Sequence, residues 1–205
     1  MALLRRISGF GLMGKTTFKL VAAFFLALVA GQAVAQDSYD FGIDEVRGGL
    51  FWHSVDHAPP SAFLGFIDTT RLQDVNVELL FTPFDLGDWN WLGEIRPHVG
   101  GTFNFGGLES QVYGGLSWTH YIAGGPVFIE ATFGGALHNG ALSGATLPAR
   151  NLGCQALFRE SGSLGYQITE QASIMLTVEH SSHAGLCGAN NYGITNLGFR
   201  AGWKF

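Results

Sequence analysis

The segment 197–205, LGFRAGWKF, carries an apolar residue at every second position, with small or polar residues at the places between. Strict alternation of this kind is typical of a β-strand that has one apolar face and one polar face. The segment stops on an aromatic residue, Phe205. An alternating strand with a terminal aromatic residue, in a chain that begins with an export-like leader, predicts an outer-membrane β-barrel.

Seven further segments alternate in a similar way, so the sequence predicts eight strands, at 42–53, 71–83, 92–105, 111–122, 126–138, 152–166, 171–183 and 192–205. The pattern favours an all-β fold, an eight-stranded antiparallel transmembrane β-barrel formed by residues 36–205. Longer connections are expected at the outer end, at 54–70, 106–110, 139–151 and 184–191. The first and sixth segments are less regular. Glu160 falls on the apolar side of the sixth, so we expect a bulge or a register error there.

The first 35 residues differ in character from the rest of the chain. Basic residues precede an apolar run over 20–30, and AVA at 33–35 fits an A-x-A cleavage site. We therefore expect residues 1–35 to be a cleaved signal peptide and the mature chain to begin at Gln36.

Composition narrows the class of protein. Four of the 11 basic residues and none of the 16 acidic residues lie in the leader, so the remainder has a net charge of −9. Nucleic-acid binding requires clustered Lys and Arg, so this charge argues against it. Apolar residues make up 47% of the chain and charged residues 13%, with 30 glycines. A closed barrel with an apolar outside explains these figures better than a soluble β-sandwich does.

The seventh segment carries a candidate catalytic pair. His180 and Ser182 share the parity of the apolar residues Leu176 and Val178, so both are predicted to face lipid near the outer end of the strand. A polar group that faces hydrocarbon costs free energy unless it is paired. A serine beside a histidine base is the usual activated nucleophile for acyl transfer. An H-x-S pair is a weak motif, however, and polar residues at a strand end are the ordinary alternative.

Other polar residues have structural explanations. An inner hydrogen-bonded and ionic plug of the barrel is predicted from Glu45, Arg47, Glu78, Arg96, His98, Glu130, His138 and Glu179. His180 and His183 point to opposite faces of a strand and form no compact ligand set, so we predict no metal and no cofactor. Cys154 and Cys187 both lie near the outer end in an oxidising compartment, where a disulfide between them is plausible.

The stretch HSSHAGL at 180–186, followed by NYGI at 191–194, resembles the signature of the lipid A 3-O-deacylase (PagL-type) family. Members of that family are eight-stranded outer-membrane barrels that carry H-x-S-N-A-G-L and then N-x-G-I-E. Their Ser is the nucleophile, their His the base and their Glu the residue that orients the His. Three further stretches also fit the family pattern, namely NVELLF at 76–81 with Pro83, LHNG at 137–140 and FRE at 158–160.

The resemblance implies a lipid A esterase in the bacterial outer membrane, acting on lipopolysaccharide. Ser182 would attack the acyl carbonyl, His180 would move the proton, and backbone N–H groups near His183 and Ala184 would hold the oxyanion. Two positions depart from the family pattern: its Asn is His183 here, and its Glu falls on Thr195. Loss of the acid costs about 10⁴ in rate in the serine-protease template, so we expect a slow enzyme that Thr195→Glu would accelerate.

Two alternatives remain at this stage. A non-catalytic structural or lipid-binding outer-membrane barrel, a degenerate relative of the enzymes, is the main one. A small pore is the weaker one, because eight strands enclose a lumen that side chains just fill. The sequence also leaves open whether the protein forms a homodimer, and which acyl chain of lipid A would be removed.

Overall fold

Eight antiparallel strands, each hydrogen-bonded to its neighbours in sequence, close into a barrel through the pairing of β1 with β8. The computed structural model describes residues 42–56 and 67–205. The predicted leader 1–35 and residues 36–41 lie outside this range. The strands are β1 Ile43–Trp52, β2 Leu72–Phe81, β3 Glu94–Asn104, β4 Gln111–Tyr121, β5 Val127–His138, β6 Ala156–Gln167, β7 Ala172–Ser182 and β8 Ile194–Lys204. The predicted fold class is thereby confirmed.

The faces of the barrel follow the period of two in the sequence. Along β5, exposed and buried residues alternate, and the exposed ones include Ile129, Phe133 and Leu137. Along β7 the exposed positions include Ile174, Leu176 and Val178. The outer surface is therefore apolar over the height of these strands, as a lipid-facing surface must be.

Arginines and glutamates fill the interior and neutralise one another. Arg47 contacts Glu45 at 2.8 Å and Glu130 at 2.6 Å. Arg159 contacts Glu179 at 2.7 Å. Further short pairs include Arg200–Glu78 at 2.8 Å, Arg96–Glu45 at 2.8 Å and Arg96–Asp44 at 2.9 Å. This network confirms the predicted plug for its charged members. A lumen filled in this way has the form of a packed core and argues against a pore.

His138 departs from the plug prediction. It is buried at the end of β5, where its Nε2 hydrogen-bonds the carbonyl oxygen of Cys154 at 2.6 Å and its Nδ1 accepts the Gly140 N–H at 3.1 Å. The side chain thus fastens a connection at the barrel end and takes no part in the ion-pair network.

Strand β6 differs from its prediction in two respects. It begins at Ala156 instead of 152, because Leu152 and Gly153 donate backbone hydrogen bonds to Ala141 and Leu142 within the preceding connection. The bulge expected at Glu160 is absent, since β6 pairs with β5 and β7 in continuous register. The irregularity predicted for the first strand is real, with register shifts at both ends of β1.

Residues 53–56, 67–71, 105–110, 139–155 and 183–193 lie in connections at one end of the barrel, which we call the loop rim. The opposite end carries tighter turns, two of which contain the short 3-10 segments Gly87–Leu92 and Ile122–Gly124. Trp89 and Trp91 are exposed there, consistent with an interfacial role. Within the described residues, no helix has the length and apolar character needed to cross a membrane.

Candidate active site

His180 and Thr195 face each other across β7 and β8 on the outer surface of the barrel. They are direct register partners, and His180 Nδ1 lies 2.9 Å from Thr195 Oγ1, within hydrogen-bonding distance. Both side chains are half-buried, near the loop rim. His180 faces outward as predicted, and Thr195 lies beside it across β7 and β8.

Ser182 ends β7, two residues beyond His180 on the same face. Its register partner on β6 is Phe158, whose ring is exposed on the outer surface. In the described part of the chain, neither ring nitrogen of His180 hydrogen-bonds Ser182 Oγ. His180 and Ser182 are thus neighbours on one face, and because catalytic hydrogen bonds are often long without substrate, the geometry does not exclude the pair as a candidate.

Gly193 sets the position of the His180 ring, and the sequence analysis gave it no role beyond its place in the motif. A Cβ added there would lie 2.8 Å from His180 Cε1 and 3.3 Å from Nε2. The residue also has a φ of 66°, in the left-handed region that favours glycine. Only a residue without a side chain allows the ring to lie against this turn.

The chain turns sharply after Ser182, at the predicted oxyanion region. Ala184 and Gly185 have φ of 50 and 81, and the Leu186 N–H donates to the His183 carbonyl oxygen at 3.0 Å, which closes a turn of the I′ class. The His183 N–H is already used, since it donates to Asn191 Oδ1 at 3.1 Å. The Ala184 N–H has no acceptor among the described residues. Of the two predicted donors, Ala184 is therefore the one available to an oxyanion.

The His183 side chain lies buried beneath the loop that follows β7. Its Nε2 donates to the Asn190 carbonyl oxygen at 2.7 Å, and its Nδ1 accepts the Cys187 N–H at 3.2 Å. These two bonds require the neutral tautomer with the proton on Nε2. His183, at the position of the family Asn, therefore stabilises the loop after β7 through two side-chain hydrogen bonds.

Cys154 and Cys187 form a disulfide with a Cα–Cα distance of 5.8 Å, which confirms the predicted pairing. It joins the connection before β6 to the loop after β7. The two sulfurs and a His183 ring nitrogen lie within 4.8 Å of one another, a spacing compatible with a metal. The sulfurs are bonded to each other and both ring nitrogens of His183 are hydrogen-bonded, so this group has no ligand atom to spare.

A shallow groove runs over the outer face of β2 to β6, with a cavity volume of about 660 Å³. Glycines at 101, 114 and 135 leave its floor open, and apolar side chains form its walls, among them Val77, Val99, Val112 and Leu137. It ends at Ala156 and Leu157, next to Phe158, the partner of Ser182. The groove is apolar and open, and its β6 end lies on the strand that pairs with Ser182.

A charged cluster stabilises the loop rim on its inner side. His53 lies buried between two carboxylates, with Nδ1 2.8 Å from Asp74 Oδ2 and Nε2 3.1 Å from Glu109 Oε2. Burial by itself lowers the pKa of His53, but the hydrogen bonds to Asp74 and Glu109 outweigh burial and raise the pKa from 6.5 to about 9. The imidazole is therefore protonated at neutral pH and acts as a structural cation.

Comparison with known proteins agrees with this geometry. A family model described as lipid A 3-O-deacylase (PagL) matches residues 77–204. The crystal structure of the outer membrane enzyme PagL is 18% identical, covers 78% of this chain and 99% of its own, and superposes with a TM-score of 0.54. The N-terminal β-barrel domain of Pseudomonas aeruginosa OprF is 11% identical, covers 80% and 99%, and has a TM-score of 0.47. No curated protein matches the chain in sequence. The chain is thus a β-barrel of the bacterial outer membrane, and it belongs to the lipid A 3-O-deacylase (PagL) family.

Proposed function

We propose that this protein is an outer-membrane esterase that removes an ester-linked acyl chain from lipid A through Ser182 and His180. One observation carries the proposal. His180 lies on the outer face of the barrel near the loop rim, hydrogen-bonded to Thr195, with Ser182 two residues away on the same face. A lipid ester in the outer leaflet reaches this face directly, without passing into the lumen.

In the proposed reaction, Thr195 Oγ1 accepts the Nδ1–H of His180. This bond fixes the tautomer in which Nε2 carries a lone pair, the state that a general base requires. Nε2 takes the proton of Ser182 as Oγ attacks the acyl carbonyl carbon. His180 then returns the proton to the leaving alkoxide, and water repeats the sequence to release the fatty acid.

The tetrahedral intermediate carries its negative charge on the former carbonyl oxygen. The Ala184 N–H is the donor proposed to stabilise that charge, and it follows the nucleophile by two residues in the turn. The His183 N–H would contribute only by exchanging its bond to Asn191 Oδ1 for one to the oxyanion. The acyl chain would lie on the apolar surface beside Phe158, which leads into the groove.

Mass spectrometry of lipid A tests the proposal. Lipid A from cells that express the wild-type protein should contain a species that has lost one acyl chain, and cells that express Ser182→Ala should lack that species. Ser181→Ala is the matched control, because Ser181 is the adjacent serine, faces the lumen and donates to Gln111 Oε1 at 2.8 Å. An unchanged lipid A in wild-type cells would refute the esterase function. A loss of the product in both serine variants would point to a folding defect.

A non-catalytic, lipid-binding barrel is the second candidate. It is favoured by Thr195 at the position of the family carboxylate, and by the lack of a hydrogen bond between His180 and Ser182 within the described residues. On this hypothesis, wild-type and Ser182→Ala proteins would give identical lipid A while both bind it. The mass spectra therefore distinguish the two functions.

A further inference from the structure

Glu160 lies on the outer face of β6, directly opposite His180. The register of β6 and β7 pairs these two residues, so His180 has Thr195 on one side and Glu160 on the other. Direct cross-strand neighbours have Cβ atoms about 4.5–5.5 Å apart. The carboxylate of an extended glutamate is therefore within reach of the imidazole.

Glu160 is also the one titratable side chain among the direct and diagonal neighbours of His180 on this face. The other positions around the ring, on β6, β7, β8 and the turn before β8, are occupied by Phe158, Gly162, Val178, Ser182, Thr195, Leu197 and Gly193. Charged residues such as Arg159 and Glu179 are close in sequence but lie in the lumen, where they pair with each other. His180 thus has a single candidate for a neighbouring charge.

The placement of Glu160 has no structural explanation. Its side chain is exposed and makes no hydrogen bond or ion pair with any described residue, whereas the buried Glu179 is held by Arg159, Asn196 and Thr102. On β5 its partner is the exposed Phe133. A charged side chain on the lipid face costs free energy, and such residues are kept mainly where they act.

We infer that Glu160 is a positioning residue that supplies, from β6, the negative charge that Thr195 cannot supply from β8. This inference rests on the proposed function. When Nε2 of His180 accepts the proton of Ser182, the ring becomes a cation with its Nδ1–H on Thr195 Oγ1. The Glu160 carboxylate stabilises that cation through space. Thr195 on β8 thereby orients the imidazole, and Glu160 on β6 stabilises its charge. A single carboxylate usually performs both tasks.

A double-mutant cycle tests this division. Glu160→Gln should lower the deacylation rate about 10- to 100-fold and move the acidic limb of the pH–rate profile about one pH unit lower, because the imidazolium loses its counter-charge. Thr195→Glu should raise the rate much more in the Glu160→Gln background than in the wild type, where a carboxylate is already present. Glu170→Gln, an exposed carboxylate at the opposite barrel end, is the matched control and should change neither quantity.

An NMR titration of the histidine rings in detergent gives a readout independent of activity. The His180 signal, assigned by its loss in His180→Ala, should titrate at lower pH in Glu160→Gln than in the wild type. Equal titration and equal pH–rate profiles in the two proteins would overturn the inference. A shifted titration together with unmodified lipid A in wild-type cells would uphold the Glu160–His180 interaction and refute the esterase function.

Discussion

The two faces of strand β7 both carry polar residues, but the residues differ in how completely their side chains are hydrogen-bonded. On the inner face, Glu179 and Ser181 are fully buried, and every polar group has a partner: Glu179 contacts Arg159 at 2.7 Å and Ser181 contacts Gln111 at 2.8 Å. On the outer face, His180 has one hydrogen bond, to Thr195, and Ser182 has none from its side chain to a described residue. From residue 179 to residue 182, side chains that are fully hydrogen-bonded (saturated) thus alternate with side chains that keep free hydrogen-bonding capacity.

The difference has a physical meaning. A buried polar group without a partner costs free energy, so the inner side chains are paired and fixed. The outer side chains keep free hydrogen-bonding capacity at the lipid surface, where such capacity is expensive and serves to bind or react. On β7, complete hydrogen bonding therefore separates Glu179 and Ser181 from the candidate catalytic residues His180 and Ser182.

The largest effect should come from adjacent substitutions on the two faces. His180→Ala should reduce deacylation by about 10³- to 10⁴-fold and leave folding unchanged, because the ring only acts in the reaction. Glu179→Ala should destabilise the barrel by about 3–5 kcal/mol, because it leaves Arg159 buried without its charge partner. Lipid A analysis and urea unfolding in detergent measure the two quantities. If His180→Ala unfolds the barrel, the outer histidine is structural and the comparison fails.

The disulfide, like the inner polar residues of β7, is expected to contribute to the stability of the fold. Cys154 and Cys187 are separated by 33 residues, so reduction should lower the free energy of unfolding by about 3–4 kcal/mol on the chain-entropy model. Urea unfolding with and without reductant measures the change. The double variant Cys154→Ser, Cys187→Ser serves as the control and should be insensitive to reductant. Equal stability of the oxidised and reduced wild-type protein would contradict the expectation.

His53 makes the free energy of unfolding dependent on pH. Its pKa is raised from 6.5 to about 9 in the folded chain, so its protonated form is favoured by folding. The stabilisation, about 3 kcal/mol, is fully present below pH 6.5 and is lost as the pH rises through 9. Unfolding measured between pH 6 and 10 should show this decline. His53→Gln should flatten it, and a decline of the same size in that variant would assign the effect to another group.

The smallest effect should come from Gly193, whose lack of a side chain makes room for the His180 ring on the outer face. Gly193→Ala should lower deacylation about 10- to 100-fold, because the new methyl group displaces the His180 ring. Gly188→Ala is the matched control, since Gly188 has a φ of 97 and nothing lies within 4 Å of its added Cβ. Rates corrected for folded protein give the comparison. Equal rates in the two variants would show that backbone strain alone accounts for the loss.

The strands and their facing could be predicted because barrel strands follow a local rule. Alternation with a period of two assigned the outer residues of β5 and β7 and the inner carboxylates, and a short motif located His180, Ser182 and Thr195. Thr195 could be placed beside His180 because the turn between β7 and β8 joins consecutive strands. Boundaries were less predictable, as the start of β6 shows, since Leu152 is apolar and packs against Leu157 and Ile194 but lies in the connection before β6.

Glu160 was misread for an instructive reason. A glutamate on the apolar parity of a strand indicates a bulge when that strand is read alone. Only the pairing of β6 with both neighbours establishes that the register is continuous and that the carboxylate faces outward. The hydrogen bonds of the His183 ring could not be predicted for a similar reason, because they depend on Asn190 and Cys187 in the folded loop.

The sequence by itself determined the eight strands, the polarity of their faces and the choice of His180 and Ser182 as the candidate catalytic pair. These properties depend on residues within one strand or on two strands joined by one turn, where the period of two fixes direction. The tertiary structure alone decided which groups are saturated, which N–H remains free in the turn after Ser182, and that Glu160 lies opposite His180. Those properties depend on the register between strands, which is fixed only when the barrel closes and the inner charged groups pair across it.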